Sequence, residues 1–272
     1  MNSHPQDRIV RCRIVKGLTG LLCFIALFPF LIIAWQLISK ARHLFETDLF
    51  TQQEGILNGL SGGVLIFSLT LLLALPLGVL AGLYVQQYSR SHLSLCLGVW
   101  NPIFAGMPDI LIGMVVFLWL VAPFHQFSVV AGGVSMVILL LPSVVHSTIQ
   151  SLEDLPSGLK ESGLALGASS SMVITRVLFP AVYKPILSEI LVAFAQLMGV
   201  CTPLIITVCG LEQMNPDDRS SITVALLIWD FFRDPAMTVY VWPCALFLMA
   251  VIAVLYIISQ LIYPTYDKRI HT

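Results

Sequence analysis

The chain has 272 residues, of which 14 are Lys or Arg and 15 are Asp or Glu, a charged share of 11% where a soluble domain carries about 25%. Apolar residues make up 57% and mean hydropathy is +0.90, more apolar surface than a soluble protein of 29.9 kDa hides from water. These figures exclude a disordered chain and a cytosolic enzyme; a net charge of −1 also excludes a nucleic-acid binder. Lipid is the expected solvent.

Windows of about 20 apolar residues, enough to cross a hydrocarbon core, fall at roughly 18–38, 60–84, 97–121, 128–149, 186–209 and 238–263. All six are predicted helices, because a chain in lipid must satisfy its backbone internally. Continuous rather than alternating apolar runs exclude a β-barrel. The first window is too long for a cleaved signal and ends in Trp35-Gln36-Leu37-Ile38, without a small-x-small site. It reads as an uncleaved anchor. Among the carboxylates only Asp109 and Glu189 fall inside the windows. A seventh apolar stretch, 222–232, is too short to span and is expected along the surface or packed over the bundle.

Lys and Arg set the orientation. With both termini inside, ten lie on the cytoplasmic side (Arg8, Arg11, Arg13, Lys16, Arg90, Lys160, Arg176, Lys184, Lys268 and Arg269) and four outside (Lys40, Arg42, Arg219 and Arg233). The opposite topology inverts that ratio. The chain therefore divides into an N-terminal anchor and loop, 1–54, a core, 55–265, and a cytoplasmic tail, 266–272. Segments 39–59 and 210–237 are expected outside the membrane on its extracytoplasmic face. The six cysteines (12, 23, 96, 201, 209 and 244) form no CxxC pair and read as small apolar fillers rather than disulfides or metal ligands. His125 and His146 stand at opposite ends of the fourth window and cannot share a metal.

The cytoplasmic segment 150–185 is long, yet neither Pro/Gly-rich nor highly charged. Leu155, Leu159, Leu164, Leu166, Val173, Val177 and Leu178 recur at roughly helical spacing. Asp154 or Ser157 is a candidate cap for a first short helix, with Pro156 near its start and Gly167 at its end. One of the serines at 169–171 caps a second helix that runs to Phe179, where Pro180 is expected to break it. Two readings stand: a loop lying on the membrane interface, or a docking element for a cytoplasmic partner.

Glu161-Ser162-Gly163-x-x-x-Gly167, then nine residues, then Val177-x-Phe179-Pro180, resembles the EAA motif of ABC importer permeases: Glu-Ala-Ala, a Gly six residues after the Glu, and an Ile-x-Leu-Pro ending. Glu, Gly and Pro are identical; the other positions are small-for-small or apolar-for-apolar. The resemblance implies an all-α, six-helix membrane protein with the type I (MetI-like) permease fold. It further implies that Leu159, Glu161, Ser162, Gly163, Gly167 and Pro180 belong to a coupling loop seated on a separate ATPase subunit. This sequence has no G-x-x-x-x-G-K-[ST] run. ATP and Mg are accordingly expected on the partner ATPase, with no cofactor or metal bound by this chain and no enzymatic step of its own.

Across about 55–263 the likeness is to the phosphate-specific permease subunits. It rests on Leu75-Pro76-Leu77-Gly78 with Gly82 in the second window, Ala105-Gly106-Met107-Pro108-Asp109-Ile110 with Gly113 in the third, Leu164-Ala165-Leu166-Gly167-Ala168-Ser169 in the loop, and Gly199-x-x-Thr202-Pro203-Leu204 in the fifth. The resemblance implies partners: two ATPases, a second permease chain and an extracytoplasmic solute-binding protein, in a bacterial inner membrane. Three positions depart from that family. Its fifth-window Arg is Gln196, its Glu is Val200, and its third-window Ser is Asp109. An Arg is a natural forked partner for phosphate oxygens; losing it and adding Asp109 makes the path less friendly to an anion.

Asp109, Gln196, Gly199, Thr202 and Pro203 are the candidate path residues. A mid-span carboxylate costs at least about 2.5 kcal/mol, so it faces a wet cavity or a partner; the other reading is a cap on a half-helix starting after Pro108. Gln196 either hydrogen-bonds solute or bridges helices. Gly199 and Pro203 bracket an expected mid-membrane break of the kind that lines solute sites. Glu189, near Lys184, reads as an interfacial or paired charge. Gly78-x-x-x-Gly82 reads as close helix packing. An ion-driven secondary transporter would need inverted repeats, which this sequence does not show. A permease for another solute and a non-transporting partner subunit remain as alternatives.

Overall fold

The apolar windows fold as helices whose polar groups turn back on their own backbone. Thr70 and Thr148, both buried, donate to the carbonyls of Ile66 and Val144 at 2.8 Å, which satisfies a hydroxyl without water. The structure, a computed structural model, describes residues 5–41, 56–88, 90–125, 127–209 and 223–262. Among them every regular element is helical. The boundaries at 54–55 and 265–266, most of segment 39–59, Arg219, Lys268 and Arg269 lie outside the described residues, as do the side chains of Arg8, Arg11 and Arg13.

In chain order the elements are α1 (Pro5–Lys40), α2 (Ile56–Gln87), α3 (His92–Ala105), α4 (Asp109–Val116) with a π-helical turn at Phe117–Val121, and α5 (Val129–Glu153). They continue with α6 (Ser157–Ala165), α7 (Ser170–Val173) with a π-helical turn at Ile174–Leu178, α8 (Phe179–Leu197), α9 (Thr202–Thr207), α10 (Val224–Arg233) and α11 (Thr238–Ile262). Serine and threonine caps begin several: Ser91 accepts from the Ser94 N–H, Ser128 from Ala131 and Thr223 from Leu226.

Five helices are long and apolar enough to cross a membrane, and α3 with α4, bent by 107°, makes a sixth pass if the pair is one span. The expected single third span is therefore broken. Gly106 ends α3, Pro108 takes an extended ψ of 135°, and Asp109 opens α4. The fifth span also differs from expectation. Pro180 does not break the second loop helix: Ser170–Leu197 runs through as one span of 28 residues, so the membrane helix begins well before residue 186.

The centre of the bundle is the seam between α2 and α5. A Cβ on Gly78 would meet Val144 Cγ1 at 2.6 Å, and one on Gly82 would meet Thr148 Cβ at 2.6 Å. Only hydrogen fits there, which brings the two backbones close and gains dispersion contacts along both helices. Half of the apolar window of α5 is buried, against 6% for α1; α5 is the axis and α1 a peripheral helix, meeting α11 where Lys40 Nζ lies 4.3 Å from the centre of the Trp242 ring. α8 joins α11 through a reciprocal pair, Ser188 Oγ donating to the Ser259 carbonyl at 3.0 Å and Ser259 Oγ to the Ser188 carbonyl at 2.9 Å. α10, the short seventh stretch, packs over the bundle as expected: Val224, Leu226, Leu227 and Phe231 are buried against α2 and α11, while Trp229 and Phe232 face out.

Candidate functional sites: the α6–α7 loop and the paired helix breaks

Two separate sites come from the sequence candidates. The first is the loop. α6 follows Pro156, whose φ of −55° and ψ of 128° turn the chain away from the end of α5. Its hydrogen-bonded turns close until Leu166, and Gly167 then adopts φ +81° with open space where a Cβ would be. That left-handed conformation stops the helix at little cost only for glycine. Ser169 restarts the chain, its side chain accepting from the Met172 N–H at 3.4 Å. The expected pair of short helices joined at a glycine is thus present. The starting cap is not: Pro156, with no side-chain acceptor, stands at the cap position instead of Asp154, and Ser157 is already the first residue of α6.

α6 rests on α7 through Gly163, where a Cβ would meet Val173 Cγ2 at 2.9 Å. Leu159 is half-buried, Glu161 and Ser162 are exposed, and Ser162 Oγ donates to the Gly158 carbonyl at 2.6 Å. Behind α6 lies a cleft of about 370 Å³, walled by Lys160 and Glu161 of α6, Gln86 and Gln87 of α2, and Glu153 of α5. Gln87 Nε2 crosses to α7 and donates to Ser170 Oγ. Sequence reasoning did not single out Gln87, and named Ser170 only among three candidate caps. The available signal was a pair of amides, Gln86-Gln87, closing an otherwise apolar helix.

Pro180 sits exposed just past the π turn. The Phe179 N–H bonds Ile174 O, five residues back. Proline has no N–H to give the carbonyl four residues back, and its ring crowds that carbonyl. The wider turn accommodates both while the helix continues.

The second site is where two broken helices meet. α8 ends at Leu197, and the chain passes through Gly199, whose N–H bonds the Gln196 carbonyl at 3.2 Å, before α9 begins at Thr202. The expected break between Gly199 and Pro203 is present. α9 packs on α4: a Cβ on Gly113 would meet the Pro203 Cα at 2.8 Å. Pro203 is buried and Thr202 half-buried; Asp109, one turn of helix before Gly113, is half-buried; Gln196 and Gly199 are exposed. α4 and α9, each following a helix break, thus pack on one another, and Gly113 is the contact residue that sequence reasoning had quoted only as part of a longer run. Both breaks interrupt regular helix in an otherwise apolar segment, the first just before Asp109 and the second between Gln196 and Thr202. Glu189 lies half-buried a little less than two turns before Gln196 on α8. Among the described residues, no three His, Cys, Asp or Glu side chains are placed to hold a metal.

Known proteins resemble the chain over most of its length. Residues 74–271 match the family described as the binding-protein-dependent transport system inner membrane component. The chain is 31% identical over 232 residues to the phosphate transport system permease protein PstA of Haemophilus influenzae, covering 82% of each chain. It is 26% identical to the PstA protein of Pasteurella multocida, covering 98% of this chain and 99% of that one. Among solved structures, a bacterial alginate ABC transporter in complex with its alginate pentasaccharide-bound periplasmic protein matches with a TM-score of 0.63 at 14% identity, over 97% of this chain and 99% of that one. The inward-facing MetNI methionine ABC transporter matches with a TM-score of 0.62 at 15% identity, over 78% of this chain and 95% of that one. These structural likenesses concern the fold.

Proposed function

The chain belongs to the family of binding-protein-dependent transport system inner membrane components, a multi-pass ABC importer permease, and on that premise we propose that it moves inorganic phosphate inward as one half of a permease pair. The observation that carries the coupling part of this reading is α6 itself. A short, separate helix stands at the end of the bundle with Glu161 exposed and small residues on its packing side. Phosphate is supported by the PstA relatives.

In this reading the α6 end faces the cytoplasm, with both termini on that side, as the Lys and Arg distribution favours. Leu159, Glu161, Ser162, Gly163 and Gly167 seat on an ATPase subunit, which holds ATP and Mg. A second permease chain completes the path, and an extracytoplasmic binding protein delivers the solute. Closure of the ATPase dimer displaces α6, and the two permease chains rock to expose the central path to each side in turn. Asp109, Gln196, Gly199, Thr202 and Pro203 line this chain's share of the path. This chain positions and gates; it breaks no bond.

A second reading is favoured by Gln196 and Val200, which stand where the phosphate-specific subunits resembled here carry Arg and Glu. A path without that Arg lacks the forked donor that suits a phosphate oxygen pair. Either the partner permease supplies it, or the solute is different. Radiolabelled phosphate uptake in a strain deleted for this chain, with unrelated anions as competitors, decides. Phosphate uptake is expected to fall and to return with the chain; undiminished uptake overturns the phosphate reading and leaves the permease fold standing.

A further inference from the structure

The 107° bend sets α3 and the segment 109–121 as two diverging arms. Each arm packs on α5, and beneath the bend lies a cavity of about 390 Å³. Its floor holds Ile112 from α4 with Val137 and Val145 from α5, which are 2%, 9% and 3% exposed. Trp100 on one arm and Trp119 on the other also line it, and these are 51% and 72% exposed. The cavity therefore opens between the arms, within the apolar windows. Asn101 is the one lining residue that carries an amide, a hydroxyl or a charge. Its Nδ2 donates to the Pro142 carbonyl at 3.3 Å and ties α3 to α5.

The lining selects its occupant. Water settles in a cavity only where about two to four polar groups hold it, and this lining offers one amide. An ionic solute finds no charged side chain there; Asp109 lies outside the lining. A sphere of the cavity's volume is about 9 Å across, narrower than a helix with its side chains, about 10–12 Å. In hydrocarbon surroundings the walls of an unfilled space forgo dispersion contacts, and a flexible chain one methylene wide restores them. The cleft behind α6 is the contrast: its volume is similar, about 370 Å³, but Glu153, Lys160 and Glu161 wall it. We propose that the cavity under the α3–α4 bend is a binding site for one acyl chain of a membrane phospholipid. The surrounding bilayer supplies the chain at the mouth between Trp100 and Trp119. Once seated, it fills the space between the arms and supports α4, which carries Asp109 and Gly113. This requires only that the windows span a membrane; neither the solute nor the ATPase enters it.

The test uses the full chain, assembled with its partner permease and ATPase in bilayers of phosphatidylethanolamine and phosphatidylglycerol. The bilayers are doped with a phospholipid that carries a diazirine at mid-chain. After photolysis, peptide mass spectrometry reads which residues are labelled. Label is expected on Ile112, Val137 and Val145, which a chain reaches only from inside the cavity. It is not expected on Val116 or Val144, which are as deeply buried but lie outside the lining. The exposed Leu27 and Phe30 of α1 report ordinary surface labelling. Leu97→Trp enters the space from the α3 wall and Ile138→Phe from the α5 wall, so one filler remains if the other does not fold. Each is expected to abolish the floor label and to leave the α1 label unchanged. A parent labelled on α1 but not on the floor leaves the cavity to a side chain of the partner permease and overturns the inference. Floor label that survives either folded filler overturns it too.

Discussion

Two places in the molecule carry the same local event. At Phe117–Val121 a π turn closes with the Ala122 N–H on the Phe117 carbonyl at 2.8 Å, and Pro123 follows. At Ile174–Leu178 a π turn closes with the Phe179 N–H on the Ile174 carbonyl, and Pro180 follows. Both residues before proline stay helical, Ala122 at φ −62° and ψ −43°, Phe179 at φ −61° and ψ −46°. The outcomes differ. After Pro123 the helix is over, and His125 turns with φ 49° toward the Ser128 cap of α5. After Pro180 the helix runs on for another seventeen residues, with Val182, Pro185, Ile186 and Ile190 buried in the bundle. A proline perturbs one turn; whether the chain then stops depends on what the next residues can bury. One π turn serves as an end, the other as a joint between the loop and the span.

The strongest way to break this contrast is at the packed neighbour of the first turn. Gly113→Leu would force a side chain onto the Pro203 backbone, where a Cβ alone already lies at 2.8 Å. Overpacking of this kind costs about 1–3 kcal/mol or more. Folded yield and thermal stability in detergent are expected to fall sharply, because backbone cannot swing aside as a flexible side chain does.

Next comes the joint. Pro180→Ala returns a donor to the carbonyl of Arg176 and lets the π turn close as α. Winding the extra residue of the bulge into regular helix turns everything before it by about 100° relative to α8. Assembly is expected to persist while solute uptake per ATPase complex falls about tenfold, the scale of a lost coupling free energy. Wild-type uptake would show that the joint is not used.

The smallest effect sharpens the contrast from the other side. Pro123→Ala lies where the helix already ends, in the turn before α5. Uptake and stability are expected to stay within twofold of the parent, within the usual range for a surface change. A large loss there would make both turns joints.

The candidate site was partly legible. Gly167 was readable as a helix stop because only glycine takes φ +81° without strain, and Ser169 because a serine before a helical run caps it. The break at Gly199 and Pro203 was readable from composition. Pro180 misled: proline bars a regular α bond, but nothing local says that a π turn will absorb it and that buried residues beyond will carry the helix on. Gln87 and Ser170 lie 83 positions apart, and Gly113 meets Pro203 from another helix. No local pattern joins such pairs.

By itself the sequence determined the lipid solvent, the helical class, the number of apolar windows and the spacing of the loop, since these depend on composition and on neighbours within a few positions. The tertiary structure alone decided that the third window bends by 107°, that its second half packs on α9, and that the end of α2 meets α7. Those features depend on which helices approach closely, and close approach is set by glycines meeting particular side chains across the bundle, a relation between distant residues rather than a property of any one segment.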